Sequence, residues 1–196
     1  MVGVHDITNT IFTSKTYVLY KEDDRKEAWL IDIGDIEPVI EFLNRHNLSV
    51  EGVFLTHGHF DHIYGLNSLV EAFPDCKVYA TEYTKQAIAS DKLNMSRYHE
   101  TPFTYQGANV VVVSDSENMY LFDDEPPMAF YETPGHNPGC LTMVIGDLIF
   151  TGDAYIPGVK VNTILPHADK ELAKQSLDKI LKLAEGRRVL AGHWVK

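Results

Sequence analysis

Hydrophobic positions recur along this chain at two periods, and the switches between them divide it into elements. Residues 7–12, 16–20 and 28–33 carry the β-branched, aromatic and aliphatic side chains of strands, and the polar run at 21–27 predicts the turn between the second and third. Over 36–46 the period lengthens: Ile36, Val39, Ile40 and Leu43 share a helical face, Asp35 stands at the N-cap position and Pro38 in the first turn. A buried strand at 52–55, a helix at 64–73 closed by Pro74, and a strand at 77–80 follow, then a helix opening at Thr81 or Glu82 and running to about Ala89. Residues 91–109 have no clear period and are expected to form a loop over one face. Further strands read at 110–113, 119–122 and 128–132, and at 141–145 and 148–150, the last two joined by the hairpin signal Gly146-Asp147. An amphipathic helix at 169–183, with Leu172, Leu177, Ile180 and Leu181 on or near one face, precedes a last strand at 188–190. Strands dominate both halves and helices intervene in each. That predicts an α+β molecule of two mixed β-sheets packed face to face with outer helices, rather than a doubly wound parallel sheet.

Composition narrows the class. The 196 residues suit one domain, and 44% hydrophobic with 23% charged residues excludes global disorder. Seventeen basic against 28 acidic side chains leave a formal charge of −11, which argues against nucleic acid or an anionic membrane as partner. It leaves room for a small anionic substrate held locally by metal ions. The longest aliphatic run, 110–113, falls far short of the roughly 20 residues of a membrane span, and the first residues lack the cationic and apolar regions of a leader. Cys76 and Cys140 form no CxxC pattern and read as small hydrophobic residues of a reduced, soluble, cytoplasmic protein. Nine histidines against two cysteines change the picture: the chemistry to look for is that of imidazole.

Residues 56–62, Thr-His-Gly-His-Phe-Asp-His, follow directly on the buried strand. They place four ligand types, His57, His59, Asp61 and His62, within six residues. Imidazole nitrogen and carboxylate oxygen suit borderline divalent cations, and His57 and His59, at alternate positions, point the same way from an extended backbone. Asp61 and His62 come round as the chain turns into the next helix, and Gly58 suits close approach. Three later residues each end a predicted strand: His136 in Thr-Pro-Gly-His, Asp153 in Phe-Thr-Gly-Asp, and His193 in Ala-Gly-His. Alone, they also suit a polar turn, a helix N-cap and a surface histidine. Together they supply what a two-metal site needs beyond the first loop, including a carboxylate able to bridge two cations.

This order of motifs, with Asp32-Ile33-Gly34 at an early strand end, closely resembles the metallo-β-lactamase superfamily, and within it the short hydrolases grouped with glyoxalase II (hydroxyacylglutathione hydrolase). The resemblance implies a four-layer αβ/βα sandwich. It implies one metal on His57, His59 and His136, a second on Asp61, His62 and His193, Asp153 bridging both, and Asp32 orienting the ligands. The implied cofactors are two divalent transition-metal ions, zinc first, with iron or manganese also fitting such donors. The implied activity is hydrolysis of a thioester or related small acyl substrate, anionic ones included, by a hydroxide bridging the metals, with Asp61 guiding it or moving a proton.

Glyoxalase II proper carries a C-terminal helical region that binds glutathione. This chain ends three residues after His193, so a single domain over 1–196 without that region is expected. The family tends to place a basic and a polar residue shortly after the Gly-Asp pair; Lys160 and Asn162 are the candidates here for contacting substrate. Asn137 and Cys140 stand where threonine and serine are commoner, and residues 93–96 are similar to a lid segment of short relatives. Cys140, four residues after His136, is a weaker nucleophile candidate, and Tyr155 reads as core or rim packing. His5 and His46 read as ordinary surface or element-end residues, and His99 and His167 as loop residues without an assigned role. Competing readings are a single-iron sulfur dioxygenase, a lactonase or phosphodiesterase on the same site, and a non-catalytic metal-binding module; an intact ligand set favours the hydrolase.

Overall fold

A computed structural model describes residues 1–194. The first sheet is built from β1 (Val2–Thr8), β2 (Lys15–Lys21), β3 (Glu27–Ile31), β4 (Ser49–Phe54), β5 (Lys77–Ala80) and β6 (Val110–Val112), side by side in chain order. β1 to β3 pair antiparallel and β3 to β6 parallel, so the sheet is mixed. The second sheet comprises β7 (Asn118–Met119), β8 (Met128–Glu132), β9 (Leu141–Ile145), β10 (Leu148–Gly152) and β11 (Arg188–Ala191), in the spatial order β11-β10-β9-β8-β7. It is antiparallel except for the parallel pair β10–β11.

Alternation along the strands sorts side chains into layers. Tyr17, Leu19, Trp29, Ile31 and Phe54 point from the first sheet into one core with Phe130, Leu141, Met143 and Phe150 of the second. Their neighbours Val18, Ala28, Leu30 and Val53 face the other way, under helices α1 (Ile36–His46) and α2 (Leu66–Ala72). On the far face of the second sheet Val144 and Ile149 pack on Ile180 of α4 (Lys170–Leu183). The result is the four-layer sandwich with outer helices. α3 (Glu82–Ile88) begins as predicted, the Thr81 side chain accepting from Thr84 N.

Several boundaries differ from expectation. The first strand is Val2–Thr8, not 7–12: Val2 and Val4 pack against the inter-sheet core, while the chain leaves the sheet at Asn9. That buried side chain donates to Ser14 Oγ and Thr16 Oγ1 and accepts from Asp35 N, holding a turn in which Phe12 and Thr13 have φ of 52° and 56°. Asp35 occupies the N-cap place of α1 without capping it. Its carboxylate accepts from Thr10 N, Thr10 Oγ1 and Tyr64 OH. The helix at 64–73 shortens to α2 because a 3-10 turn, Phe60–His62, precedes it. The strand at 119–122 is only Asn118–Met119, since Leu121 and Phe122 drop into the core. α4 buries Ala173, Ser176 and Ile180, while Leu172 and Leu181 are exposed. Residues 91–109 form a loop, as expected. It is pinned by Asn94, whose carbonyl accepts from Phe60 N and whose side chain donates to Phe103 O. Among the described residues no helix is long and apolar enough to cross a membrane. Both cysteines are buried and free.

Candidate metal centre

One end of the sandwich collects the ends of strands from both sheets. β3 ends before Asp32, β4 before the loop bearing His57, β10 before Asp153 and β11 before His193, while His136 lies in the β8–β9 connection. Leu141 N donates to Thr56 O, and Gly192 N to Gly152 O, which ties these ends together. Gly58 serves close approach: a Cβ there would lie 2.6 Å from Ala87 Cβ. The ligand-type atoms converge in three overlapping groups, His57/His59/His136, His57/His62/Asp153 and Asp61/His62/His193, each with all atoms within 4.8 Å of one another. Asp153 reaches both sides, with Oδ1 3.4 Å from His62 Nε2 and Oδ2 3.5 Å from His136 Nε2 and 3.3 Å from His193 Nε2. Asp61 Oδ2 is 3.4 Å from His193 Nε2.

The outward faces of the imidazoles decide what their inward faces offer. Asp32, buried and at φ 55°, accepts from Thr56 N at 2.7 Å, Thr56 Oγ1 at 2.7 Å and His62 Nδ1 at 2.9 Å. Because the Thr56 hydroxyl gives its proton to Asp32, its oxygen accepts from His57 Nδ1, 3.1 Å away. His136 Nδ1 donates to Asn162 O at 3.1 Å and His193 Nδ1 to Phe12 O at 2.8 Å. In each of these four rings a proton is fixed on Nδ1 and Nε2 points inward, offering a lone pair wherever the ring is neutral. His59 is turned over, with Nδ1 3.0 Å from His136 Nε2 and Nε2 3.1 Å from the Asn137 amide. His62 Nε2 lies 3.2 Å from His193 Nε2.

Imidazole nitrogens facing each other at such distances must share either a proton or a cation. Two further atoms point the same way: His57 Nε2 and Asp153 Oδ1 are buried and have no hydrogen-bond partner among the described residues. Buried polar atoms are rarely left so, and a nitrogen–carboxylate donor set around them fits divalent cations.

The electrostatics agree. Burial is the main cause pushing His57 well below its ordinary pKa and His59 down to about 3, each helped by neighbouring histidines. Burial also lowers His136. These three rings are neutral. For His62 and His193 burial acts in the same direction but is outweighed. Asp153 and Asp61 raise His62 well above its ordinary value, and hydrogen bonds donated to the same two carboxylates raise His193 to about 10. Against their own burial, Asp61 and Asp153 are lowered by His62. Among protein groups alone, two protonated rings balance two carboxylates.

A sequence model of the metallo-beta-lactamase superfamily matches residues 12–193. The chain belongs to that superfamily. Its members are mostly metal-dependent hydrolases, and this chain is a metal-dependent hydrolase or related enzyme with a histidine-rich candidate site for divalent metal. Similar solved structures include BLEG-1, a B3 metallo-beta-lactamase: identity 28%, TM-score 0.88, covering 98% of this chain and 92% of that one. TTHA1623, solved in a di-iron-bound form, is 26% identical with TM-score 0.82, over 98% of this chain and 93% of that one. ETHE1 from Myxococcus xanthus shares the fold at 23% identity and TM-score 0.78, over 99% of this chain and 76% of that one.

In this metallo-beta-lactamase superfamily protein the cluster forms the floor of a cavity of about 400 Å³. Lys160 and Asn162 both line it and both are exposed. The Asn162 side chain is partly committed, because its Oδ1 accepts from Ile164 N, while its carbonyl holds His136. Met95 and His99 of the 91–109 loop border the same cavity, His99 lying against Phe60 with ring centroids 3.7 Å apart. His167 and Tyr155 do not line it; His5 and His46 stack on Phe42 at the far face. Cys140 is buried under α4, and burial pushes its thiol far up, so it is no nucleophile.

Asn137 and the Phe12 carbonyl, like the Thr56 hydroxyl and the Asn162 carbonyl, have roles that the sequence did not assign. Asn137 is buried, with Oδ1 accepting from Gly139 N and its amide against His59. The clue was its occurrence next to His136 in place of a commoner residue. The Phe12 carbonyl against His193 left no signal, because it depends on the fold joining residues 181 positions apart.

Proposed function

We propose that the chain is a binuclear metallohydrolase acting on a thioester or related small acyl substrate, in the manner of a short glyoxalase II-like enzyme. The observation that carries this reading is the inward convergence of seven donor side chains on the floor of an open cavity. His57, His59 and His136 would hold one ion, Asp61, His62 and His193 the other, and Asp153 both. Zinc suits this donor set, and iron or manganese does as well. When bound, two such ions supply a water acidic enough to ionise near neutrality and polarise the acyl oxygen.

The chain's own residues do the rest. Asp32, Thr56, Asn162 and Phe12 hold the ring orientations, so no reorganisation is needed as charge develops. Asp61, lining the cavity, guides the attacking water or takes up its proton. Phe60, Met95 and His99 restrict water access from one side, and Lys160 faces the cavity as a counter-charge for an anionic substrate. A single-iron oxidoreductase leaves Asp61, His62 and His193 without a task, although Asp32 and Phe12 pin two of them.

The test is metal analysis of protein purified without chelator, followed by a panel of thioester, lactone, phosphodiester and β-lactam substrates. About two transition metals per chain with preferred thioester turnover is the expected result. A well-folded chain that retains no metal overturns the site. A metal-loaded protein that cleaves only another member of the panel overturns the substrate class.

A further inference from the structure

Behind the metal-centre cavity lies a second concavity of about 290 Å³, between the segment 155–163 and the first half of α4. The two are neighbours: Val159, Lys160 and Val161 line both. The floor of the second is apolar, with Tyr155, Ala173 and Leu177, and its rim carries Lys160, Lys170 and Lys174 against a single acid, Glu171. Of the eight other described lysines, only Lys15, Lys21 and Lys179 sit within 3.0 Å of a carboxylate, so what marks this groove is three lysines lining one concavity. Among the described residues the three rim lysines make no such pair. In a chain of net charge −11, three uncommitted cations around one apolar groove that adjoins the reaction cavity are a local reversal of the molecule's charge.

We propose that this groove is a second subsite of the same active site. It takes the anionic end of an elongated acyl substrate whose reacting carbonyl lies over the histidine cluster. The proposal rests on the hydrolase reading above. The substrate's alkyl or amide stem crosses the Val159–Val161 ridge and covers Ala173 and Leu177. Its terminal carboxylate or phosphate meets Lys170 and Lys174, with Lys160 placed at the crossing. A neutral substrate of equal length gains only the apolar contact. The groove thus selects for charge at the end remote from the scissile bond, and the cluster selects for the bond itself.

Matched probes separate these roles. S-acetyl mercaptohexanoate, its phosphate-ended analogue and its neutral amide share one reacting group, and a second set carries the charge on the acyl end. In metal-loaded protein, the ratio of kcat/KM for charged over neutral substrate should fall about tenfold in the Lys170→Glu/Lys174→Glu variant, chiefly through KM. Whichever set responds assigns the orientation, and the stronger of carboxylate and phosphate identifies the anion. Calorimetric binding of the unreactive S-methyl thioethers, which needs no turnover, should show the same loss for the charged probe and weaken with added salt. A ratio and a binding constant unchanged within twofold for both sets overturn the subsite while leaving the hydrolase reading intact. Loss of charged-probe binding in a protein that cleaves no thioester keeps the subsite and overturns the hydrolase reading instead.

Discussion

At the scale of single residues, the site is a problem in where protons sit. In His57, His62, His136 and His193 the Nδ1 proton is donated to an oxygen on the outer side of the ring, which turns Nε2 inward. Asp32 is the busiest such partner, accepting from Thr56 twice and from His62. Asp32→Asn replaces one acceptor oxygen by a donor and loosens both His57 and His62. Metal affinity should fall roughly 10- to 100-fold in a competition with a chromophoric chelator, while far-UV circular dichroism stays native. His59→Ala and Asp61→Ala should each remove most hydrolysis of an established substrate and leave folding intact, because loop ligands carry little core packing. Wild-type turnover in both would sink the mechanism. The pH dependence has a definite sign. His193, raised to about 10, is protonated in neutral solution until a cation displaces the proton. Metal uptake at about pH 7 should therefore release protons, and apparent affinity should strengthen as pH rises towards that value. Calorimetry in buffers of different ionisation enthalpy reads the proton count.

At the scale of elements, the ligands are held by strand ends and by backbone passing very close to them. Gly192 shows how little space is left: a Cβ there would lie 2.2 Å from Asp153 Oδ1, 2.8 Å from the Gly152 carbonyl carbon and 2.9 Å from His62 Cε1. Gly192→Ala should reduce bound metal below the wild-type stoichiometry by elemental analysis while the sheets persist, since the clash falls on the ligands rather than on a core. The elements also show where hydrophobic pattern was a sound guide. β2, β3, β9 and β10 were legible as short apolar runs because both their faces are buried, by different layers. The pattern misled at 7–12, where Ile11 and Phe12 are apolar but belong to a turn closed by Asn9. It misled again in α4, whose buried stripe is Ala173, Ser176 and Ile180 because the Pro134-Gly135 turn approaches too closely for leucine.

At the scale of the whole molecule, the metal centre and the sandwich are coupled. His57, His59, Asp61 and His62 come from the half that builds the first sheet, and His136, Asp153 and His193 from the half that builds the second. Ions shared between them act as a clasp across the two sheets. A chelator should lower Tm, and ions at a hundred times their dissociation constant should add about 2.7 kcal/mol, measurable by denaturant unfolding with and without metal. The inter-sheet core bears the remaining load. Phe54, fully buried between Trp29, Tyr79 and Phe130, should cost about 3–5 kcal/mol as Phe54→Ala, read in the same unfolding experiment.

From the sequence alone came the donor chemistry and the layer pattern. Thr56 to His62 places four ligand types at offsets that a strand-to-loop turn makes convergent, and strand-length apolar runs in both halves, with helices between, predict two sheets. Both are local properties, carried by residues a few positions apart. What only the tertiary structure decided is non-local: that Asp153 reaches both histidine groups, that Phe12 O and Asn162 O set the tautomers of His193 and His136, and that α4 closes a lysine-rimmed groove beside the cavity. Each depends on which strand ends lie together, and that is set by two sheets burying their inner faces against one another.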